Sequence, residues 1–210
     1  MKRLHRRDLY CWSTFNERLD IDFNSFAWIH ERGNVVVDPL PLSEHDRKHL
    51  RDLGGAAWIV LTNSSHVRAA KELAAEFGGR IAGPAAEREG FPIPCDRWLK
   101  EGDDIHPGLR VMELEGSKTP GELALMLEDT TLIAGDLLRS HRAGELMLLR
   151  PEQGLKDPAR ATASLQRLLA YARLDALLLG DGWCVFRDGR RLLEEFIQSL
   201  TSPVAASGTA

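Results

Sequence analysis

Cysteine is scarce in this chain, and the residues it has are far apart. Cys11, Cys95 and Cys184 form neither a disulfide framework nor a Cys-x-x-Cys pair, so we expect three reduced thiols. Long hydrophobic runs are also missing, because no apolar stretch reaches the ~18 residues that a membrane span needs. The first residues lack the apolar stretch of a secretory signal. The sequence therefore predicts a cytoplasmic protein with no membrane partner.

An excess of positive charge is absent as well. The formal net charge of -4 argues against a surface that coats nucleic acid. No phosphate-binding glycine loop, dinucleotide fingerprint or Gly-x-Ser-x-Gly nucleophile motif occurs. The usual signatures of nucleotide-binding proteins and serine hydrolases are thus missing. The expected partner is a small molecule or a protein, and the sequence does not identify it.

The bulk composition is that of a globular protein. Hydrophobic residues make up 43% of the chain and charged residues 28%. A chain of 210 residues fits one large domain with a substantial core. We expect a single domain over residues 1–202 and a small, polar, flexible tail over residues 203–210.

Helices fall singly among many strands in the predicted order of elements. A capping-box spacing begins a polar helix at Ser43, and Asp157 followed by proline begins another. Ser64 or Ser65 is expected to cap a further helix. Short apolar and β-branched runs predict strands at residues 10–15, 25–30, 35–37, 58–61, 79–83, 111–114, 123–127, 131–134 and 177–179. This order predicts an α/β protein with sheets in the middle and helices outside.

Four short motifs occur in an order that can be compared with a known family. A β-branched strand ends in Asp38 and proline, and about twenty residues later a strand leads into TNSSHVR at residues 62–68. KTPGE follows at residues 118–122, LIAGD at 132–136 and LLGDG at 178–182. Together they resemble the metallo-β-lactamase superfamily, whose corresponding motifs contain Thr-His-x-His-x-Asp-His, His-Thr-Pro-Gly-His, a bridging Asp and a final His.

This resemblance covers about residues 10–200. It implies a metallo-β-lactamase-like αββα four-layer sandwich with an active site at the sheet edges. At the positions where the family binds metal, this chain has Asn63, Ser65, Val67, Arg68, Glu122, Asp136 and Asp181. Only Asp136 keeps the family's residue, and no histidine remains at a matching position, whereas zinc sites are built from His, Cys and carboxylate ligands. The resemblance therefore implies a divergent member without the usual dinuclear zinc site.

Three carboxylates should converge if the resemblance holds. Glu122, Asp136 and Asp181 would repel one another and need a compensating charge. Arg68, expected in the first turn of the helix, can pair bidentately with carboxylates, so we expect it to replace the metal as the positive centre. In this interpretation the protein needs no cofactor. It is either a catalytically inactive binding module or an enzyme that uses Arg68 and the carboxylates.

A second interpretation places one divalent cation in the same site. Asn63, Glu122, Asp136 and Asp181 offer an all-oxygen ligand set, which magnesium, manganese or calcium prefers. The protein would then be a hydrolase that activates water on the metal, although Arg68 would oppose a cation there. In a third interpretation the chain is a structural or partner-binding module whose former active-site face is an interface.

His66 stands one position away from the family's ligand register. It is a candidate general base or shifted ligand. The alternative is a surface or capping histidine at the mouth of the pocket. Elsewhere, Met126 and the LMLL run at residues 146–149 leave room for a self-association patch, and so for a homodimer.

Overall fold

Thirteen strands and four α-helices are formed by residues 1–201, the part of the chain that this computed structural model describes. The tail expected over residues 203–210 lies outside that part, as does Ser202. The strands are β1 (Lys2–Arg3), β2 (Leu9–Asn16), β3 (Ile21–Trp28), β4 (Val35–Val37), β5 (Trp58–Val60), β6 (Arg80–Pro84), β7 (Arg97–Leu99), β8 (Leu109–Leu114), β9 (Glu122–Leu127), β10 (Thr131–Ala134), β11 (Leu138–Arg142), β12 (Glu145–Leu148) and β13 (Ala176–Leu179). The helices are α1 (Glu44–Asp52), α2 (Ala70–Phe77), α3 (Pro158–Leu168) and α4 (Gly189–Thr201).

Two large sheets contain most of the strands. In the first sheet β1 to β7 lie side by side in chain order, antiparallel as far as β4 and parallel from β4 to β7. The second sheet has the order β13-β10-β9-β8, in which β10 is parallel to β13 and antiparallel to β9. β11 and β12 form a separate two-stranded ribbon.

The two sheets face each other and carry helices on their outer faces. Val60 of the first sheet and Leu125 of the second belong to one buried cluster between the sheets. Leu50 of α1 packs in a second cluster on the outside of the first sheet, and Leu165 of α3 packs in a third on the outside of the second. Burying both faces of each sheet in this way produces four layers. The αββα sandwich implied by the resemblance is confirmed.

Two helix starts agree with their sequence signals. The Ser43 hydroxyl accepts a hydrogen bond from the backbone N–H of Asp46 at 3.1 Å. The Asp157 carboxylate accepts one from the backbone N–H of Arg160 at 3.0 Å, and a proline occupies the first position of α3. Each side chain satisfies an N–H group that the first helical turn leaves without a partner. None of the helices in residues 1–201 is long and apolar enough to cross a membrane.

The helix after β5 starts later than the sequence predicts. Asn63, rather than a serine, caps a single 3-10 turn, and its Oδ1 accepts a hydrogen bond from the Ser65 N–H at 2.9 Å. Arg68 then adopts a left-handed φ of 42°, which interrupts the helical path before α2 begins at Ala70. The prediction that a serine caps this helix and that Arg68 lies in its first turn is wrong.

The residues proposed for self-association are mostly inside the molecule. Met126 is 1% exposed, and Leu146 and Leu149 are 9% and 2% exposed. The LMLL run overlaps β12, a strand that the sequence analysis missed, and its Leu146 and Leu148 pack in the cluster beneath α3 and α4. These residues do not form an exposed patch. The homodimer therefore stays a prediction, and these residues do not provide its interface.

Candidate active site

Chain segments from both sheets meet at one edge of the sandwich. The polar residues that closely follow β4, β5, β10 and β13 are Asp38, Thr62, Asp136 and Asp181. β9 runs opposite to β10, so its first residue, Glu122, reaches the same edge. The carboxyl ends of parallel strands are where α/β proteins usually place their sites. A hydrogen bond from the Leu123 N–H to the Thr62 carbonyl, at 2.7 Å, joins the two sheets there.

Two glycines let the backbone approach this edge closely. A Cβ atom on Gly135 would lie 2.5 Å from Thr62 Oγ1. Gly182 has a left-handed φ of 91°, and a Cβ atom on it would lie 1.7 Å from the Ser140 carbonyl oxygen. Glycine is the residue that fits both conditions. The two glycines therefore fix the backbone beside Asp136 and Asp181.

His66 is buried between two aspartates. Its Nδ1 lies 2.8 Å from Asp38 Oδ2, and its Nε2 lies 3.4 Å from Asp136 Oδ2. Burial by itself lowers the pKa of His66, but the two carboxylates outweigh burial and raise the pKa to about 10. The two carboxylates therefore favour the imidazolium form of His66. The alternative of a surface histidine is wrong, since His66 is 4% exposed.

Asp38 connects His66 to Thr62. Its carboxylate accepts hydrogen bonds from the Thr62 N–H at 2.8 Å and from the Thr62 hydroxyl at 2.6 Å, in addition to its contact with His66. Asp38 is 2% exposed and has a left-handed φ of 48°, which turns the chain out of β4. The loops after β4 and β5 are thereby locked together.

Asp136 is surrounded by positive and polar donors. The Lys118 ammonium lies 2.7 Å from its Oδ2, and the Asn63 side-chain N–H group donates to the same oxygen at 2.9 Å. Burial by itself raises the pKa of Asp136, but His66 and Lys118 outweigh burial and hold the pKa far below its usual range. Asp136 is therefore a carboxylate whose charge is fully compensated by side chains.

Arg139 supplies the positive centre of the site. One guanidinium nitrogen lies 2.7 Å from Asp181 Oδ2 and 3.2 Å from Asp136 Oδ1. A second nitrogen donates to Gln153 Oε1 at 3.3 Å. Arg139 is 4% exposed, so this bridge between two carboxylates lies inside the protein. Burial raises the pKa of Asp181, and Arg139 opposes that rise.

Arg68 lies at the edge of this network. Its Nη1 donates to the backbone carbonyls of Asn24 at 2.8 Å and Asp38 at 3.0 Å. Its Nη2 is 3.9 Å from Asp181 Oδ1. The expected pairing with a carboxylate thus extends only to Asp181, at long range. Its Nη1 is thus held by the backbone of β3 and of the residue that follows β4, and Arg139 and Lys118 hold the central place that the sequence analysis gave to Arg68.

The side-chain oxygens of Glu122 and Asn63 are not free to join Asp136 and Asp181 as metal ligands. Glu122 is fully buried, and its oxygens accept hydrogen bonds from the Leu137 N–H at 2.7 Å and from the Ser117 hydroxyl. Burial, and then the nearby Asp136, raise the pKa of Glu122 to about 7 despite these bonds. The Asn63 oxygen is held by the N–H of the 3-10 turn. Of the four expected oxygen ligands, the structure brings together only those of Asp136 and Asp181.

A pocket of about 480 Å³ opens above the network. Its floor contains His66, Asp136 and Asp181, and its apolar wall includes Phe23. Arg18, at the tip of the β2–β3 hairpin, also lines it. The volume lies within the range of roughly 300–1,000 Å³ that is typical of small-molecule sites.

Lys118, Arg139 and Asp38 were not singled out from the sequence. Lys118 belongs to the KTPGE motif, where the family has a histidine, so its charge could have been noticed beside the missing ligands. Arg139 lies three residues after Asp136, but nothing in that spacing outside a helix indicates contact. Asp38 was identified as a strand end without any role at the site.

The chain belongs to the metallo-beta-lactamase superfamily. A family model with that description matches residues 1–200. A metallo-beta-lactamase from Pontibacter korlensis superposes with a TM-score of 0.72 and 14% identity, covering 93% of this chain and 97% of the other. One from Hirschia baltica has a TM-score of 0.67 and 13% identity, covering 93% and 94%. These two structures show the fold alone.

Curated relatives are named hydroxyacylglutathione hydrolase. The protein from Acidiphilium cryptum is 30% identical over 164 residues, which are 75% of this chain and 64% of that protein. The protein from Cereibacter sphaeroides is 39% identical over 128 residues, which are 56% of this chain and 49% of that protein. The chain therefore spans less than two thirds of the length of these relatives. By name, these relatives are hydrolases.

Proposed function

We propose that this chain is a metal-independent, ligand-binding member of the superfamily, in which buried ion pairs take the place of the metal centre. The position of Arg139 carries this proposal. Its guanidinium contacts Asp181 at 2.7 Å and Asp136 at 3.2 Å, so it engages both carboxylates that could share a metal ion. The positive charge that the family obtains from metal is supplied here by side chains.

The donor set does not fit the family's metal ions. His66, Asp136 and Asp181 are the one group in residues 1–201 whose three potential ligand atoms lie within 4.8 Å of one another. Both ring nitrogens of His66 already face carboxylates, Nδ1 at 2.8 Å from Asp38 and Nε2 at 3.4 Å from Asp136, so the side chain is engaged as an ion-pair partner rather than held open as a ligand. A metal ion at the two carboxylates would meet Arg139 and Lys118 at contact distance, and like charges at ~4 Å repel strongly in a buried site.

The chemistry of the relatives is not expected from this site. Their name denotes hydrolysis of a hydroxyacylglutathione thioester, and hydrolysis needs a group that activates water. His66 is held between Asp38 and Asp136, and Asp136 is committed to Lys118 and Asn63, so neither side chain is free to act on a water molecule. The pocket keeps its volume and its polar floor, so binding of a small molecule is the function that the geometry supports.

Elemental analysis of tag-free protein purified without chelators tests the proposal. We expect far less than one equivalent of any metal. We also expect no rise in melting temperature with zinc, manganese, magnesium or calcium, whereas a metal that bound the folded state would raise the melting temperature. A hydroxyacylglutathione substrate with added zinc should show no hydrolysis. One equivalent of bound metal, or metal-dependent hydrolysis by the wild type, would overturn the proposal.

A matched variant makes a negative result informative. Lys118→Met with Arg139→Met removes both cations and leaves Asp136 and Asp181 in place. If these cations exclude metal, the folded double variant should gain a melting-temperature rise with divalent ions that the wild type lacks. An absent rise in a folded double variant would show that the cations are not what excludes metal.

A second candidate function is hydrolysis at one hard divalent cation. The close approach of His66, Asp136 and Asp181 is the observation that favours it. It requires His66 to lose its proton and Arg139 to swing away from the carboxylates. In that case manganese or magnesium would stabilise the wild type, and Asp181→Asn would remove that effect.

A further inference from the structure

Two arginines face the pocket without a close counter-charge. Arg18 is exposed and forms no ion pair within the described residues 1–201. Arg68 gives one nitrogen to two backbone carbonyls, and its other terminal nitrogen comes no closer than 3.9 Å to Asp181. The Phe23 ring lies 5.5 Å below the Arg68 guanidinium and supports it at the pocket wall. Both arginines have donors available for an anion.

One buried oxygen at the floor of the same pocket lacks a donor. Asp181 is 3% exposed, and its Oδ2 is held by Arg139. Its Oδ1 accepts no hydrogen bond from any residue in the described part of the chain. A buried acceptor without a donor costs free energy, so a ligand that supplies a donor at this point is favoured.

We propose that the pocket binds a small organic anion that carries a hydroxyl group. The anionic group lies between Arg18 and Arg68, and the hydroxyl donates to Asp181 Oδ1. The pocket of about 480 Å³ has room for such a molecule, and Leu19 and Leu40 offer apolar contacts to its carbon chain. This inference rests on the proposed function, because it needs Asp181 to be held by Arg139 rather than by a metal ion.

The surrounding charge selects the kind of donor. Arg139 lies 2.7 Å from one oxygen of Asp181, and Arg68 lies 3.9 Å from the other. An ammonium group placed at Oδ1 would be close to both guanidinium groups and would be repelled by them. A hydroxyl group donates a hydrogen bond without adding positive charge. The ligand is therefore a hydroxylated anion rather than a zwitterion.

Calorimetric titration of the wild-type protein in EDTA buffer tests the inference with two matched pairs of probes. The pairs are 3-hydroxypropionate against propionate, and 3-hydroxypropyl phosphate against propyl phosphate, so the two members of each pair differ by one hydroxyl group. We expect the hydroxylated member of at least one pair to bind about tenfold tighter, as polar sites discriminate against analogues that leave a buried group unpaired. The pair that responds shows whether the anionic group is a carboxylate or a phosphate.

Three variants separate the two halves of the site. Asp181→Asn should reduce the preference for the hydroxylated probe to about twofold or less, since it removes the charged acceptor. Arg18→Gln should weaken the binding of the hydroxylated probe and of its analogue by about the same factor, roughly threefold to tenfold. The ratio of the two affinities should stay unchanged. Arg7→Gln makes the same change of charge at an exposed residue outside the pocket and should change neither quantity. The ratio in the wild type stands as a test even where Asp181→Asn fails to fold.

The possible failures are distinguishable. Folded, metal-free wild type that binds neither hydroxylated probe more tightly than its analogue overturns this inference and leaves the proposed function in place. Binding unaffected by Arg18→Gln also overturns it. Binding that appears only after zinc is restored overturns both, because metal would then be part of the site.

Discussion

The guanidinium of Arg139 and the carboxylate of Asp181 lie 2.7 Å apart, and each residue is less than 5% exposed. Arg139 belongs to β11, and Asp181 follows β13. Removing one member of a buried ion pair leaves the other charge without compensation, which is more costly than losing an exposed pair. This contact therefore holds the floor of the pocket together as well as neutralising it.

Replacing Arg139 by methionine should destabilise the protein strongly. Asp136 and Asp181 would lose a shared counter-charge, and we expect the free energy of unfolding to fall by about 3–5 kcal/mol. Urea denaturation followed by circular dichroism measures the change. Arg150→Met is the control, because its pair with Glu152 is half-exposed at 3.8 Å and should cost only about 0–1 kcal/mol. Equal losses in the two variants would contradict the central role of Arg139.

The cost of losing Arg139 should depend on Asp181. In the double variant Arg139→Met, Asp181→Asn, the charge left behind is partly removed, so the total loss should be smaller than the sum of the two single losses. A double-mutant cycle of unfolding free energies measures this coupling, for which we expect roughly 1–3 kcal/mol. Additive losses would show that the two side chains do not stabilise each other.

Lys118→Met should have a smaller effect than Arg139→Met. The Lys118 side chain is 25% exposed, and Asp136 keeps Arg139 and Asn63 as partners, so we expect a loss of about 1–2 kcal/mol. Lys118 helps to lower the pKa of Asp136, and a lowered carboxyl pKa gives stability that is lost as pH falls through it. Acid unfolding of the variant should therefore begin at a higher pH than that of the wild type. An unchanged acid transition would count against the Lys118–Asp136 contact.

Stability should decrease as pH rises from about 5 to 9. The pKa of Glu122 is raised from 4.5 to about 7, so its stabilising contribution is complete below 4.5 and is lost as pH rises through 7. The pKa of His66 is raised from 6.5 to about 10, so its contribution is complete below 6.5 and is lost towards pH 10. Unfolding free energies across this range measure the decline.

Two substitutions separate the contributions of Glu122 and His66 to this pH-dependent loss of stability. Glu122→Gln should flatten the curve mainly between pH 5 and about 7, and His66→Gln should flatten it mainly above about 6.5. A wild-type stability that increases with pH over this interval would show that His66 is not held as an imidazolium by Asp38 and Asp136.

Gly135→Ala should destabilise the site through a clash. The new Cβ atom would lie 2.5 Å from Thr62 Oγ1, whose hydroxyl is held by Asp38 and cannot move without breaking a buried hydrogen bond. We expect a loss of about 1–3 kcal/mol in a chemical denaturation experiment. A variant as stable as the wild type would show that the two sheets can separate at this edge without cost.

Much of the fold follows from local patterns. Strand β10 coincides with its predicted residues, and α1 and α3 begin after the predicted caps Ser43 and Asp157. These elements are specified by residues only a few positions apart, through β-branched runs and side-chain capping. The start of the helix after β5 was predicted too early, because Asn63 caps only a 3-10 turn and the left-handed backbone of Arg68 then interrupts the helical path.

The sequence by itself determined the order of strands and helices and the absence of histidine from the ligand positions, and its resemblance to the family implied the four-layer sandwich and the convergence of Asp136 and Asp181. Tertiary structure decided which charges compensate them. Arg139, Lys118 and His66 come from three different loops or strands, and their contacts exist only where those segments meet at the sheet edge. Helical spacing predicts neighbours within one element, whereas an ion pair between loops depends on strand register and on the close approach that Gly135 allows. The identity of the positive centre could therefore be read only from the folded protein.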